Sequence, residues 1–219
     1  KKAEIVFHLA ALTTHQEIIE QPLKTLQINL QGTLNVLNAF VKGQGKIFIY
    51  PSTGKVYGKI HYLPIDESHP TQPTTILGAT KKLTEELIRT FAIIYPEKTF
   101  VILRIFNIYG PGQRSSFIIP TILGQREKGS TITLGDIKAK RDYLYIDDLI
   151  AAFGIASRIR QKGFHIYNVG SGVATSTERI VGIIDQIKNQ KTKIIIDRGR
   201  FRQGEFPEER AKSGLKKFG

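Results

Sequence analysis

The sequence predicts an α/β protein built around a doubly wound parallel sheet. Its apolar residues recur first with the spacing of a short strand at 4–9, then of an amphipathic helix at 22–42, then of a strand at 46–51. A long helix at 77–95 and a strand at 99–105 continue this alternation. Strands that alternate with helices in this way are typical of a parallel sheet with helices packed on its faces.

The second half of the sequence keeps the alternation but in shorter elements. The predicted elements are helices at 115–129 and 147–161, strands at 131–135 and 164–169, a helix at 175–189 capped by Ser176 or Thr177, and a strand at 193–197. The boundary between the halves lies near 110–113. We therefore predict a sheet domain at 1–112 and a smaller α/β domain at 113–219, with crossovers between them.

Composition restricts the classes of partner. The chain has 219 residues and a net charge of +13, but no apolar run of membrane-spanning length, so no membrane partner is expected. Its lysines and arginines are scattered, which favours a solvated surface over a nucleic-acid-binding face. The densest basic regions, 138–141 and 198–202, suit an anionic small ligand. The histidines show no metal-ligand spacing and cysteine is absent, so no metal site is expected.

The segment 73–81, PTTILGATK, carries the most specific motif. It resembles the active-site helix of the extended short-chain dehydrogenase/reductase family, the NAD-dependent nucleotide-sugar epimerases and dehydratases, in which the pattern is P-x-S-x-Y-G-x-(S/T)-K. The tyrosine and lysine of that pattern share one helical face, so the ammonium lowers the phenol pKa and makes it a usable base. Here Leu77 stands at the tyrosine position and Lys81 at the lysine position. Because leucine has no proton to transfer, we expect turnover to be impaired.

The resemblance extends along the chain, because other motifs of the family follow in the family's order. They lie at 7–11 (FHLAA), 29–33 (NLQGT), 47–58 (ending in VYG), 64–67, 103–113 (LRIFNIYGPGQ), 141–148 and 167–172. The ordered set identifies the chain as a member of the family and implies a Rossmann-like sheet. It implies a partial Rossmann-type NAD-binding domain at 1–112 and a nucleotide-sugar-binding domain at 113–219.

The resemblance implies NAD as the cofactor. In the family, a strand, a glycine-rich turn and a helix precede the FHLAA segment and hold the pyrophosphate of NAD. No such glycine cluster occurs before Phe7. We therefore expect the first strands and the glycine-rich loop to be absent from this chain, and the chain alone to bind NAD poorly.

The resemblance also assigns roles to individual residues. Thr53 corresponds to the catalytic Ser/Thr that holds the reacting sugar hydroxyl, although a loop hydroxyl can instead cap its own backbone. Lys81 corresponds to the lysine that holds the nicotinamide ribose. Asn107 is expected to contact the substrate, and Arg141 and Arg202 to pair with the diphosphate of a nucleotide sugar unless they are only solvated surface residues. The residues expected to line the NAD site are Ala10, Ala11, Asn29, Lys81 and Ile105.

The residues that follow Thr53 narrow the reaction. In the 4,6-dehydratases an Asp-Glu pair follows the catalytic threonine and supplies the acid and the base that eliminate water. This chain has Gly54 and Lys55 there. An NAD-dependent nucleotide-sugar epimerase is therefore favoured and a reductase stays open. The alternative is a nucleotide-sugar-binding protein, or a fragment of such an enzyme, without turnover.

The resemblance further implies a cytoplasmic homodimer. Paired long helices of the family, here 22–42 and 77–95, build a four-helix interface between subunits. Four apolar residues at helical spacing in the second helix suit either this interface or an intramolecular core: Leu83, Leu87, Phe91 and Ile94.

Overall fold

The structure is a computed structural model that describes residues 3–201 and 206–213. Its elements in chain order are β1 (Ile5–Phe7), α1 (His15–Glu20), α2 (Pro22–Leu26), α3 (Gly32–Lys42), β2 (Ile47–Thr53), α4 (Ile76–Ile94), β3 (Thr99–Ile105), β4 (Asn107–Tyr109), α5 (Ile118–Lys128), β5 (Thr131–Leu134), β6 (Lys140–Tyr145), α6 (Ile146–Ala156), β7 (Gly163–Val169), β8 (Ala174–Ser176), α7 (Thr177–Lys188), β9 (Lys193–Ile196) and β10 (Glu208–Glu209).

Four parallel strands form the main sheet, in the order β1-β2-β3-β7. The central β3 is buried along its whole length. β7 returns from the second half of the chain and pairs with β3, with Gly163 opposite Thr99 and Val169 opposite Ile105. The predicted α/β fold with a parallel sheet is therefore confirmed. The division of domains at 112/113 stays a prediction.

Alternate residues of the central strands face opposite sides of the sheet and build two separate cores. On one side, Ile49 belongs to the same core as Leu149 of α6. On the other side, Phe48 shares a core with Leu37 of α3 and Phe91 of α4. Helices therefore cover both faces, as a doubly wound sheet requires.

The predicted helix at 22–42 contains a π-helical stretch, Gln27–Gln31, that joins α2 to α3. Such stretches often occur at functional sites. Asn29 is buried within it; its Nδ2 donates to Leu12 O at 3.0 Å, and its Oδ1 accepts from Leu12 N at 2.7 Å. The π-helical stretch thus directs an amide group onto the loop that follows β1.

Two smaller sheets lie in the second half. β6 pairs with β4 and β10 in parallel and with β8 in an antiparallel arrangement, while β5 pairs with β9. The sequence does not predict β4, β6, β8, β10 or α1, because these elements are short and carry no apolar periodicity. α5 begins at Ile118 and α6 ends at Ala156, so both helices are shorter than predicted.

Candidate active site

A small pocket lies at the carboxyl ends of β2 and β3, where open α/β sheets bind their ligands. Its volume is about 40 Å³, and it is lined by Thr53, Gly54, Lys55, Ile105, Phe106, Asn107 and Glu209. Thr53, Ile105 and Asn107 are residues that the sequence assigns to the site. The structure brings these three together and adds Glu209, which no sequence motif indicates.

Thr53 is oriented by the turn that follows it. It ends β2 and caps the 3₁₀-helical turn Gly54–Val56, with its Oγ1 accepting from Lys55 N at 3.2 Å. The hydroxyl thus caps its own backbone, as the alternative interpretation holds. Because the oxygen is the acceptor in this bond, the hydroxyl proton is not used in it. A Thr53 hydroxyl held in this way can still donate to a ligand in the pocket.

Helix α4 begins directly against the loop that carries Thr53. Thr75 caps the helix by accepting from Gly78 N at 3.1 Å. A β-carbon on Gly78 would lie 2.5 Å from Lys55 O, so this close approach requires glycine. Leu77, the preceding residue, lies half-buried in the same first turn. The turn that holds position 77 is thereby fixed against the loop of the pocket.

Lys81 lies one helical turn further along and is buried, with 4% of its surface exposed. Its Nζ donates to Pro51 O at 2.8 Å and lies 4.4 Å from the centre of the Tyr50 ring. Burial lowers the pKa of the Lys81 amine to about 8, and the nearby Glu85 only partly offsets this effect. The amine therefore changes protonation at mildly alkaline pH.

This lowered pKa predicts a pH-dependent effect of Lys81 on stability. Above pH 8 the folded chain loses the proton that the unfolded chain keeps up to about 10.5, so stability contributed at this residue rises with pH across that window. Each unit of pKa difference corresponds to about 1.4 kcal/mol. In urea denaturation, the free energy of unfolding of Lys81→Met should fall relative to that of the wild type as the pH rises from about 7.5 to about 9.5. Lys59→Met, at an exposed loop position, is the control; a constant difference for Lys81→Met would contradict the prediction.

Asn107 and Arg141 lie on paired strands beside the pocket. Asn107 begins β4 and its Nδ2 donates to Asp142 O at 3.3 Å. Arg141 on β6 is buried, and its Nη1 donates to Phe206 O at 2.9 Å, so it is not a solvated surface residue. Its pairing with a diphosphate stays a prediction. Arg202 lies outside the described residues.

The residues expected to line the NAD site lie in the loop after β1, in the π-helical stretch, on α4 and at the end of β3. Ala10 is exposed and Ala11 is half-buried, and the neighbouring Leu9 side chain is also exposed. Asn29 acts on the loop indirectly, through its two hydrogen bonds to Leu12. Ile105 is buried at the end of β3.

A buried polar network that the sequence does not predict joins the strands of the pocket. Glu85 accepts from Ser52 Oγ at 2.5 Å and, through Oε2, from Arg104 Nη2 at 2.7 Å. Arg104 Nη1 donates to the Tyr57 hydroxyl at 3.1 Å, which donates to Asn168 Oδ1 at 2.6 Å. Burial raises the pKa of Tyr57 to about 12, so its hydroxyl stays protonated and serves as a donor. The network connects β2, β3 and β7, and thus fixes the strand ends that form the pocket.

Residues 3–201 and 206–213 contain neither a cluster of metal-binding side chains nor a membrane-spanning helix. In this part of the chain, no three His, Asp, Glu or Cys side chains form a group suited to a metal ion. Every helix that the structure describes is too short or too polar to cross a bilayer.

The parallel sheet, with helices on both faces and a pocket at the carboxyl ends of its strands, defines a Rossmann-like α/β protein. Residues 1–170 match the profile of the NAD dependent epimerase/dehydratase family. The chain belongs to this family.

The chain is also similar to individual proteins with related names. A GDP-6-deoxy-D-mannose reductase of Pseudomonas aeruginosa is 32% identical, over 92% of this chain and 69% of the relative. A putative UDP-glucose 4-epimerase of Methanocaldococcus jannaschii is also 32% identical, over 91% of this chain and 66% of the relative. The solved structure of MoeE5 in complex with UDP-glucuronic acid and NAD has a TM-score of 0.88 at 25% identity, covering 98% of this chain and 72% of that chain. This chain thus spans about two thirds of the length of the curated relatives.

Proposed function

We propose that this chain is an NAD-dependent nucleotide-sugar epimerase and that Leu77, at the position of the family tyrosine, limits its turnover. The observation that carries the proposal is the pocket that Thr53 and Asn107 share, with the first turn of α4 packed against its loop. Thr53 and Asn107 come from separate motifs and meet at the edge of the sheet where ligands bind.

The residues beside the pocket fit the nicotinamide end of NAD. The buried Lys81 ammonium donates one of its three N–H groups to Pro51 O. Its other N–H groups can donate to the hydroxyl oxygens of a ribose. Ala10 and Ala11 present little bulk at the end of β1. Lys81, with the loop at 10–11 and Ile105, would therefore hold this end of the cofactor. NAD, when bound, supplies a hydride acceptor for oxidation at the sugar ring.

The chain's own residues would act on the sugar. The Thr53 hydroxyl holds and orients the reacting sugar hydroxyl, and Asn107 contacts the sugar nucleotide from β4. Oxidation of a hydroxyl also requires removal of its proton, and Leu77 offers no group for this step. Leu77 is thus the specific observation that favours the second candidate function, a protein that binds nucleotide sugars with little turnover.

The loop that follows Thr53 indicates the type of reaction. Gly54 and Lys55 lack the acid and base of a dehydratase, which supports epimerisation over elimination. The similarity to a GDP-6-deoxy-D-mannose reductase supports reduction of a nucleotide sugar as the alternative reaction.

Ligand binding tests the proposal. UDP-glucose titrated into the protein by calorimetry should bind, and Asn107→Ala and Thr53→Val should each weaken binding by about threefold to tenfold, as expected for loss of one hydrogen bond. Thr90→Val, on the exposed side of α4, is the control. Equal affinities for all four proteins, or no binding by the wild type, would contradict the proposal.

We further propose that the chain forms a homodimer in the cytoplasm. The four apolar residues of α4 divide between two roles: Phe91 is buried and Leu87 packs beside it, whereas Leu83 and Ile94 are 51% and 59% exposed. The exposed pair supports a subunit interface on this helix. We expect sedimentation equilibrium to give the mass of two chains for the wild type and of one chain for Leu83→Asp; a single-chain mass for both would contradict the dimer.

A further inference from the structure

An ion pair closes one side of the pocket. Lys55 Nζ lies 2.9 Å from Glu209 Oε1 and 3.1 Å from its Oε2, and both residues line the pocket. The Glu209 side chain is only 14% exposed and that of Lys55 39% exposed, so the pair is partly removed from water. Lys55 follows Thr53 by two residues, which places the pair next to the hydroxyl that would hold the sugar.

The carboxylate of Glu209 is held between two cations. Glu209 lies opposite Arg141 where β10 pairs with β6, and Arg141 Nε is 3.9 Å from Glu209 Oε2. Lys55 approaches the same carboxylate from the loop after β2. Glu209 therefore separates the sugar end of the site from the arginine that is expected to meet the diphosphate.

The pair has consequences for which sugar the pocket accepts. It presents donors from Lys55 and acceptors from Glu209, which together match the hydroxyl groups of a neutral hexose. A carboxylate on the sugar would meet Lys55 only by approaching Glu209, whose like charge repels it. We infer that the Lys55–Glu209 pair is a specificity-determining element that selects neutral hexoses over hexuronic acids. This inference rests on the proposed nucleotide-sugar function.

The test compares two ligands that share one nucleotide diphosphate. Calorimetry gives the affinities of the protein for UDP-glucose and UDP-glucuronic acid, and the readout is their ratio. The diphosphate is common to both, so any effect of Glu209 on Arg141 cancels in this ratio. The wild type should prefer UDP-glucose.

Substitution of Glu209 and substitution of Lys55 should change the ratio of the two affinities in opposite directions. Glu209→Gln keeps the shape of the side chain and leaves Lys55 free to pair with a carboxylate, so the ratio should shift about tenfold towards UDP-glucuronic acid. Lys55→Gln keeps the Glu209 carboxylate but removes the cation, so the ratio should shift further towards UDP-glucose. The control is Glu4→Gln, which removes the exposed pair of Glu4 with Lys46 at the opposite ends of the strands.

The possible outcomes separate the inference from the proposed function. If the wild type binds neither ligand, the proposed function fails and the inference with it. If both ligands bind and neither substitution changes the ratio beyond the Glu4→Gln control, the inference alone is overturned. Should Glu209→Gln fail to fold, as judged by its melting curve, Lys55→Gln decides the question by the direction of its shift.

Discussion

Replacement of Leu77 by tyrosine is expected to raise nucleotide-sugar turnover by about a hundred- to ten-thousand-fold, the range that general acid–base help contributes. The new phenol would share a helical face with Lys81, whose charge would lower the phenol pKa. The packing of Gly78 against Lys55 O already fixes this turn beside the loop that carries Thr53. Chromatography of UDP-, dTDP-, GDP- and CDP-sugars, incubated with the protein and NAD, would measure the change.

Leu77→Phe is the matched control because it adds the same ring without the hydroxyl. We expect it to remain as slow as the unchanged protein. Rapid turnover by the Leu77 protein would mean that another group supplies the base. No gain in Leu77→Tyr would mean that the site is impaired elsewhere.

Removal of one partner from the buried Glu85–Arg104 ion pair is expected to destabilise the fold by about 3–5 kcal/mol, because the other charge is left buried and uncompensated. The two side chains are 1% and 3% exposed. Arg104→Met should therefore show a large loss in the free energy of unfolding, measured in urea at pH 7. Glu85→Met together with Arg104→Met should recover part of the loss, since neither charge of the pair is then left without its partner.

The next residue of α4 provides the control for this prediction. Glu86 pairs with Lys82 on the exposed side of the same helix, where an ion pair contributes about 0–1 kcal/mol. Glu86→Gln should accordingly change little. A loss for Arg104→Met no greater than that for Glu86→Gln would show that the buried pair does not stabilise the sheet.

The long elements of the fold could be predicted from sequence because their apolar periodicity is strong. β2, β3, α4 and β7 appear within about two residues of the predicted bounds. β6 could not be predicted, because its sequence KRDYLY is half polar and its burial comes from neighbouring strands. The π-helical stretch around Asn29 could not be predicted either, because no sequence periodicity marks it, and the hydrogen-bonding partner of Asn29, Leu12, lies 17 residues away.

The site was predictable only where motifs carry it. Thr53, Ile105 and Asn107 lie in local motifs, and the parallel sheet brings the ends of those motifs together. Glu209 lies 154 residues from Lys55 and in no motif, so only the pairing of β10 with β6 reveals its place in the pocket. The partners of Glu85 likewise lie on β2 and β3, and no linear pattern indicates that they meet.

We propose that a nucleotide sugar binds at the carboxyl ends of β2 and β3, with its hexose beside Thr53 and Asn107. A crystal structure of the protein with UDP-glucose tests it most directly. We expect the hexose to lie within hydrogen-bond distance of the Thr53 hydroxyl and the Asn107 amide, with Leu77 facing the sugar and the diphosphate directed towards Arg141. A nucleotide sugar bound elsewhere on the chain, with the pocket at Thr53 empty, would contradict it.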